Sequence, residues 1–537
     1  MGDTNWYVSD VLAFHSGRIS SGPHPLLEFG HLIWRPIGAL VYPAIHAIPE
    51  SAQPGAKLQW LLSGFSVILG IAAAAIMYDI VLGLGAPAFL AFVVSADLLC
   101  ADACLTYFKT ANSYVPGLFC VTLALWFATE CVRSRVPRPQ FALLAGASMG
   151  FAALFWFTNI LLLPAILAAV LVWNTPSWKR DDWLSPARIR SAAAALAGFA
   201  VIVIAGYSIG AFLRGVRSPA EFAIWYRTAN HGWDQNRNYL RAVSGFPRML
   251  FDLSGDGIAL KRYVFHDPYS PVSFAALVTS VLWKIAAFYL CLAALLYSFR
   301  VGRKHHARKH QEGVVVFGAA LATLGFFAIA LFEPSTPSRF ISLLPFWSLA
   351  LATGYLASGA TVLRRAALIA IPSLAAFVNL WTLTVHNPCS GALAARFDQI
   401  LKTAHPGDMA VAITGLDDLY FTADQCRMQP EEDSAGLIVR TLLETGNQSA
   451  PQWRDSVAEN ASQVWGRGGD LWIPKRLLAD TPAPTWNWTE GDNPALKWSD
   501  FPAWFRRFSF DADVGGPDGF LRLAHTPENS ARLRRQL

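Results

Sequence analysis

The chain has 537 residues, 54% hydrophobic and 15% charged, with a mean hydropathy of +0.35 and a formal net charge of +6. A soluble globular protein carries roughly 25% charged residues, so the composition points to a membrane protein and away from a soluble one. The basic residues sit in short loops between apolar runs, so the positive balance marks topology, and no nucleic-acid signature is present.

The first stretch, Gly2 to Gly38, is polar and aromatic at the head of an otherwise apolar chain: GDTNWYVSDVLAFHSGRISSGPHPLLEFGHLIWRPIG. It holds Asp3, Asp10, His15, His24, Glu28, His31 and Arg35. It reads as a loop lying on a membrane surface. Two readings stay open: a segment that carries chemistry, or an ordered loop whose polar groups satisfy one another. Residues 39–55 are apolar but broken by Pro43, Pro49 and Pro54, which suits an interfacial or re-entrant piece.

About ten apolar runs follow, each near the roughly 20 residues a spanning helix needs. They are 56–84, 88–107, 114–133, 141–156, 158–174, 191–213, 273–299, 313–332, 339–358 and 367–386. Basic clusters at Arg133/Arg135/Arg138, at Lys179/Arg180/Arg188/Arg190, from Arg300 to Lys309, and at Arg364/Arg365 follow alternate spans. Cytoplasmic loops are enriched in Lys and Arg, so these four go to the cytoplasm. The segments 1–55, 108–113, 214–272, 333–338 and 387–537 then lie outside, in a bacterial inner membrane. Met1 would start on the outer side with no span to carry it there, and the reading favoured is an upstream helix beyond this sequence.

The run 88–107 contains Asp97 and Asp102. Acidic residues inside a span face a cavity or a partner, with capping or an interhelical hydrogen bond as the plain alternative. At its exit, Lys109, Asn112 and Tyr114 are expected on the outer surface. The loop 214–272 carries WYRTANHGWDQNRNY and KRYVFHDPY. Such aromatics among Arg, Asn, His and Asp serve equally in a sugar-binding surface and in an interfacial helix. The loop EPSTPSRF places Arg339 at the mouth of the next span, as a snorkelling anchor or an inward-facing cation.

Residues 387–537 turn polar and read as a small α/β domain with its own core. PGDMAVAITGLDDLYF reads as a buried strand between turns, SAGLIVRTLLETG as a helix ended by Gly446, and GDLWIPKRLL and DGFLRLAHT as strands. Of seven cysteines, Cys389 and Cys426 fall in this outer part, where a disulfide is allowed. The others pack as small hydrophobes. The predicted organisation is therefore a first outer loop (1–55), a transmembrane helix bundle (56–386) and an extracytoplasmic α/β domain (387–537).

Gly2, Asp3 and Tyr7, then His24, Pro25 and Leu26, then Arg339, Phe340 and Pro345 form a pattern that resembles the polytopic GT-C glycosyltransferases. Those enzymes include the protein mannosyltransferases and aminoarabinose transferases that use polyprenyl-phosphate sugars. The resemblance runs over most of the membrane part. It departs in lacking the family's first helix and in having Asn112 beside Tyr114 where an acidic residue is often found. It implies a polyprenyl-phosphate sugar donor, a glycan, lipid or protein acceptor, and inversion at the anomeric carbon. It makes Asp3 the candidate base and Arg339 the candidate phosphate clamp. Tyr7, His24, Glu28, His31 and Arg35 are candidate supports around donor or acceptor. No cofactor beyond the lipid-linked donor is implied, and a divalent metal stays open. A flippase for lipid-linked sugars or a non-catalytic membrane assembly protein of the same architecture remain the rival readings.

Overall fold

The computed structural model describes residues 3–15, 26–47, 54–108, 110–133, 137–172, 184–227, 243–253, 260, 263–264, 272–302, 337–356, 361–385, 400, 403–405, 407–414, 438–443, 452–482, 497–516 and 519–534. The first stretch forms α1 (Asp3–His15) and α2 (Trp34–Val41), with a 3-10 turn over Tyr42–Ala47. The spans begin with α3 (Pro54–Gly83). Next come α4 (Ala88–Cys100) and α5 (Asp102–Phe108), bent by 57° at Ala101. Then follow α6 (Tyr114–Arg133), α7 (Pro139–Phe155), α8 (Leu163–Val172) and α9 (Pro186–Arg214). A short helix, α10 (Pro219–Arg227), leaves the end of α9. One turn, α11 (Pro247–Leu250), precedes α12 (Trp283–Gly302), which is entered through a π turn at 278–282. The last spans are α13 (Leu344–Leu356), entered through a 3-10 turn over Pro337–Leu343, and α14 (Val362–Val385).

Five of these helices are long and apolar enough to cross a membrane, or six counting the bent pair α4–α5 as one. The protein is thus a polytopic membrane helix bundle. The predicted pair 141–156 and 158–174 becomes two short helices joined by a 3-10 turn over Phe157–Leu162. The predicted run 313–332 lies outside the described residues.

The break in α4–α5 contains no Pro or Gly. Its cause is a side chain from the last span. Asn379 of α14 donates its amide to the carbonyls of Cys100 and Leu250 and accepts the backbone N–H of Asp252. A side-chain amide taking a helix carbonyl competes with the i→i−4 ladder and kinks the helix there. Elsewhere the helices meet closely at glycine. A Cβ on Gly146 of α7 would overlap the Ala195 carbonyl of α9, and one on Gly198 would overlap the Leu143 carbonyl. Close backbone approach at small residues is how membrane helices gain packing without a hydrophobic drive.

Beyond the spans lies a five-stranded mixed sheet. Its strands are β1 (Met409–Thr414), β2 (Ile438–Leu443), β3 (Leu471–Pro474), β4 (Phe510–Val514) and β5 (Phe520–Leu523), in the order β2-β1-β3-β5-β4. Helices α15 (Gln452–Gly466), α16 (Asp500–Phe505) and α17 (Pro527–Arg534) complete this part. Trp453, Phe501, Trp504, Phe505, Leu471 and Ile473 make its core. The helix expected in SAGLIVRTLLETG is instead β2, parallel to β1 from Met409↔Ile438 to Thr414↔Leu443. Its Ile, Val and Thr are β-branched and favour a strand once a neighbour offers hydrogen bonds. Cys389 and Cys426 lie outside the described residues, and with them the disulfide expectation.

Candidate functional site

The chain from Leu26 to Arg35 is drawn into one end of the bundle by its own backbone. Phe157 donates its N–H to the Gly30 carbonyl at 3.1 Å, and Ile33 donates to the Leu154 carbonyl. Arg214 Nη1 and Trp225 Nε1 both donate to the Leu27 carbonyl, at 2.7 and 2.8 Å, and Tyr207 Oη donates to that of Phe29. The Phe29 ring sits among Phe157, Tyr207, Phe222, Trp225 and Tyr226. Residues 26–33 have no regular structure of their own, so these contacts fix where Glu28 and His31 point.

The centre of this end is Arg35. Its Nε lies 2.8 Å from Asp10 Oδ2, its Nη1 pairs with Glu28 Oε2, and its Cζ stands 4.6 Å above the Tyr7 ring. The Arg35 side chain is only 8% exposed and that of Glu28 11%, whereas Asp10 is 29% exposed. One cation thus faces two carboxylates, with the Arg214 guanidinium near enough to feel both Glu28 and Arg35. Burial raises the Asp10 pKa above the ordinary value of 3.8; Arg35 opposes the rise and Glu28 adds to it. Burial works against the Arg35 charge, but Glu28, Tyr7 and Asp10 outweigh it and hold the guanidinium above its usual pKa. A half-buried carboxyl with a raised pKa beside a fixed cation is suited to taking up and releasing a proton.

His31 lies against this centre, 1% exposed. Its Nδ1 is 2.9 Å from the Phe155 carbonyl and 2.6 Å from Ser113 Oγ. Nδ1 donates to the carbonyl in one tautomer and accepts the Ser113 hydroxyl proton in the other. The His31 ring meets Tyr7 and Tyr114 edge-on, and Tyr114 meets Tyr107 and Trp156. Trp34 Nε1 donates to the Ala111 carbonyl. The segment 110–114 is therefore a buried partner of the first stretch. Asn112 and Tyr114 are 1% and 3% exposed, Tyr114 under His31 and Asn112 bonded to Thr110, and Lys109 lies outside the described residues.

Four of the residues singled out from the sequence come together here: Tyr7, Glu28, His31 and Arg35. The side chains of Asp3 and Arg339 lie outside the described residues, as does His24 altogether. Position 3 falls on the same strip of α1 as Tyr7 and Asp10, at i, i+4 and i+7. The 337–343 turn that bears Arg339 packs on α5, α6 and α11, and Phe340 meets Phe246 at 5.2 Å. Asp10 was the residue missed. Its spacing from Asp3 and Tyr7 along one helical strip was the available signal.

Of the two acids in the second span, Asp97 accepts a hydrogen bond from Ser373 Oγ of α14 at 3.2 Å. Asp102 accepts one from Thr106. Asp97 thus has both features expected of it, an interhelical hydrogen bond and a place in the lining of a cavity with Leu344, Trp347 and Pro372, whereas the Asp102 bond stays within α5. Among the described residues no group of three or more His, Cys, Asp or Glu side chains is arranged to hold a metal ion.

Fold and site together define a polytopic membrane protein with an arginine-centred group buried at one end of its bundle. No family model and no curated protein matches the chain. Among solved structures it is similar to ArnT from Cupriavidus metallidurans bound to undecaprenyl phosphate, at 13% identity and a TM-score of 0.48, over 98% of this chain and 93% of that one. The same protein in the apo state gives 15% identity and a TM-score of 0.38, over 98% and 93%.

Proposed function

We propose that the protein is an integral membrane glycosyltransferase that moves a sugar from a polyprenyl-phosphate donor to an acceptor hydroxyl or amine. The observation that supports this is the Arg35 group: two carboxylates on one buried guanidinium, in the segment that carries the Gly-Asp-x-x-x-Tyr and His-Pro-Leu steps. The end of the bundle bearing it faces away from the cytoplasm in this reading, as does the α/β part at 387–537.

The reaction breaks the bond between the anomeric carbon and the phosphate oxygen and forms one from that carbon to the acceptor atom. The acceptor proton goes to a carboxylate; the lipid phosphate leaves with the bonding pair and gains a negative charge. A positioned base contributes about 10² to 10⁴ in rate. Asp3 is the base that the sequence resemblance implies, and position 10 lies two turns further along the same strip of α1. Arg339 holds the leaving phosphate as a forked donor. Tyr7, Glu28, His31 and Arg35, largely buried and engaged with one another, support the segment beside donor and acceptor.

The test is transfer or hydrolysis of labelled sugar from a panel of polyprenyl-phosphate sugars by the protein in lipid nanodiscs. Asp3→Asn should abolish turnover while donor binding persists, and Arg339→Ala should weaken both. Full activity in Asp3→Asn would overturn the assignment of the base. Neither binding nor turnover with any donor in the panel would overturn the reading as a whole.

A further inference from the structure

The turn from α9 into α10 is specified locally. Gly215 takes φ +75° and closes α9, with Val216 N–H returning to the Ala211 carbonyl, the left-handed stop that glycine adopts without strain. Within the next few residues Ser218 and Glu221 form a reciprocal capping box. Glu221 N–H donates to Ser218 Oγ, and Glu221 Oε2 accepts from the backbone of Ser218 and Arg217. Those backbone N–H groups, Arg217 first, lower the Glu221 pKa. The chain therefore stops one helix and starts another at a fixed place.

What α10 exposes does not suit water. Trp225 faces inward at 1% exposure, whereas Phe222, Ile224 and Tyr226 are 40%, 65% and 53% exposed. The end of α9 beside it exposes Phe212 at 83% and Leu213 at 59%. Removing large apolar side chains from water is favourable in proportion to the area covered. Along α9 the cover is already implied: only 17% of its most apolar window is buried inside the protein, so lipid covers the rest. The exposed face of α10 continues that surface past the stop at Gly215. Its Tyr and Phe are flanked by Arg214, Arg217 and Glu221, the pattern of a helix at the boundary of headgroup and acyl chain.

We propose that α10 is seated in the lipid interface at the end of α9 and holds the site segment at the level of the membrane surface. Its inward residue makes the link. Trp225 and Arg214 share the Leu27 carbonyl, one residue before Glu28. Phe222 and Tyr226 pack on Phe29. Ile224 is the outermost of Phe222, Ile224 and Tyr226, while Phe222 and Tyr226 have one edge outward and one on Phe29, so lipid against α10 braces the 26–33 segment through these two rings.

The test uses the full chain in phosphatidylethanolamine–phosphatidylglycerol vesicles. Ile224→Cys, with Cys389 and Cys426 replaced by Ser, carries an environment-sensitive fluorophore. Blue-shifted emission quenched by lipids brominated close to the headgroup, and not by aqueous iodide, is expected. Emission quenched by iodide and untouched by brominated lipid would overturn the proposal. A second arm uses Ile224→Glu, with Ile224→Leu as control. Amide exchange in 26–33 should rise about tenfold in the Glu variant alone, because the opening free energy of that segment falls. Unchanged exchange there would remove the link between lipid and site.

Discussion

Arg35 and Asp10 stand on different helices with 2.8 Å between Nε and Oδ2, and that pair joins α1 to the rest of the site. Removing one partner of a buried pair leaves the other charge without its counter-charge, a cost of about 3–5 kcal/mol. Arg35→Ala, which strands both Asp10 and Glu28, should lower the unfolding midpoint in detergent far more than Arg35→Lys. The lysine variant should still lose stability, because a single ammonium cannot fork between two carboxylates. Equal loss in both would show that shape, not charge, sets the effect.

The raised Asp10 pKa carries a sign. The folded state holds the proton more tightly than the unfolded chain, so Asp10 favours folding most below its ordinary value of 3.8. That contribution is lost as pH rises through the higher folded-state pKa. Asp10→Asn should therefore flatten the stability profile on the acid side of neutrality, with its largest relative gain at neutral pH. Denaturation midpoints measured from pH 4 to pH 8 check this, and a profile identical to wild type would refute it.

His31 bridges two chain segments through one nitrogen. His31→Ala orphans the Phe155 carbonyl and removes a partner from Ser113, costing about 1–3 kcal/mol. His31→Asn, whose amide can still donate to that carbonyl, should recover part of the loss. Thermal unfolding of the three proteins side by side is the measurement.

The glycine contacts separate cleanly. Gly146→Ala drives a methyl into the α9 backbone and should cost about 1–3 kcal/mol. Gly64→Ala meets nothing within 4 Å and should be neutral or gain up to about 1 kcal/mol from helix propensity. A destabilised Gly64→Ala with an unaffected Gly146→Ala would contradict the α7–α9 packing described above.

The membrane part was legible because a run of some twenty apolar residues admits few other structures. The bend at Ala101 was not, because its cause, Asn379, lies far along the chain, and nothing near Ala101 announces it. Glu28, His31 and Arg35 stood out as polar residues crowded into an aromatic segment. Asp10 stood in the same stretch but without a role, since a stretch read as a loop does not show that positions 3, 7 and 10 share one helical strip. In the sheet, IVRTLL was read through its leucines as a helix. Pairing with β1 decided otherwise, and that is a relation between segments which local pattern does not carry.

The Asn379 contacts also order the making of the protein in time. The bend in the second span exposes the Cys100 carbonyl, and the loop at Leu250 brings another, to a side chain that is synthesised last among the spans. Inside a bilayer an unmet carbonyl costs several kcal/mol. Until the ribosome has passed residue 379, nothing draws the Cys100 carbonyl off its own helix ladder, so the bend of the second span waits on α14.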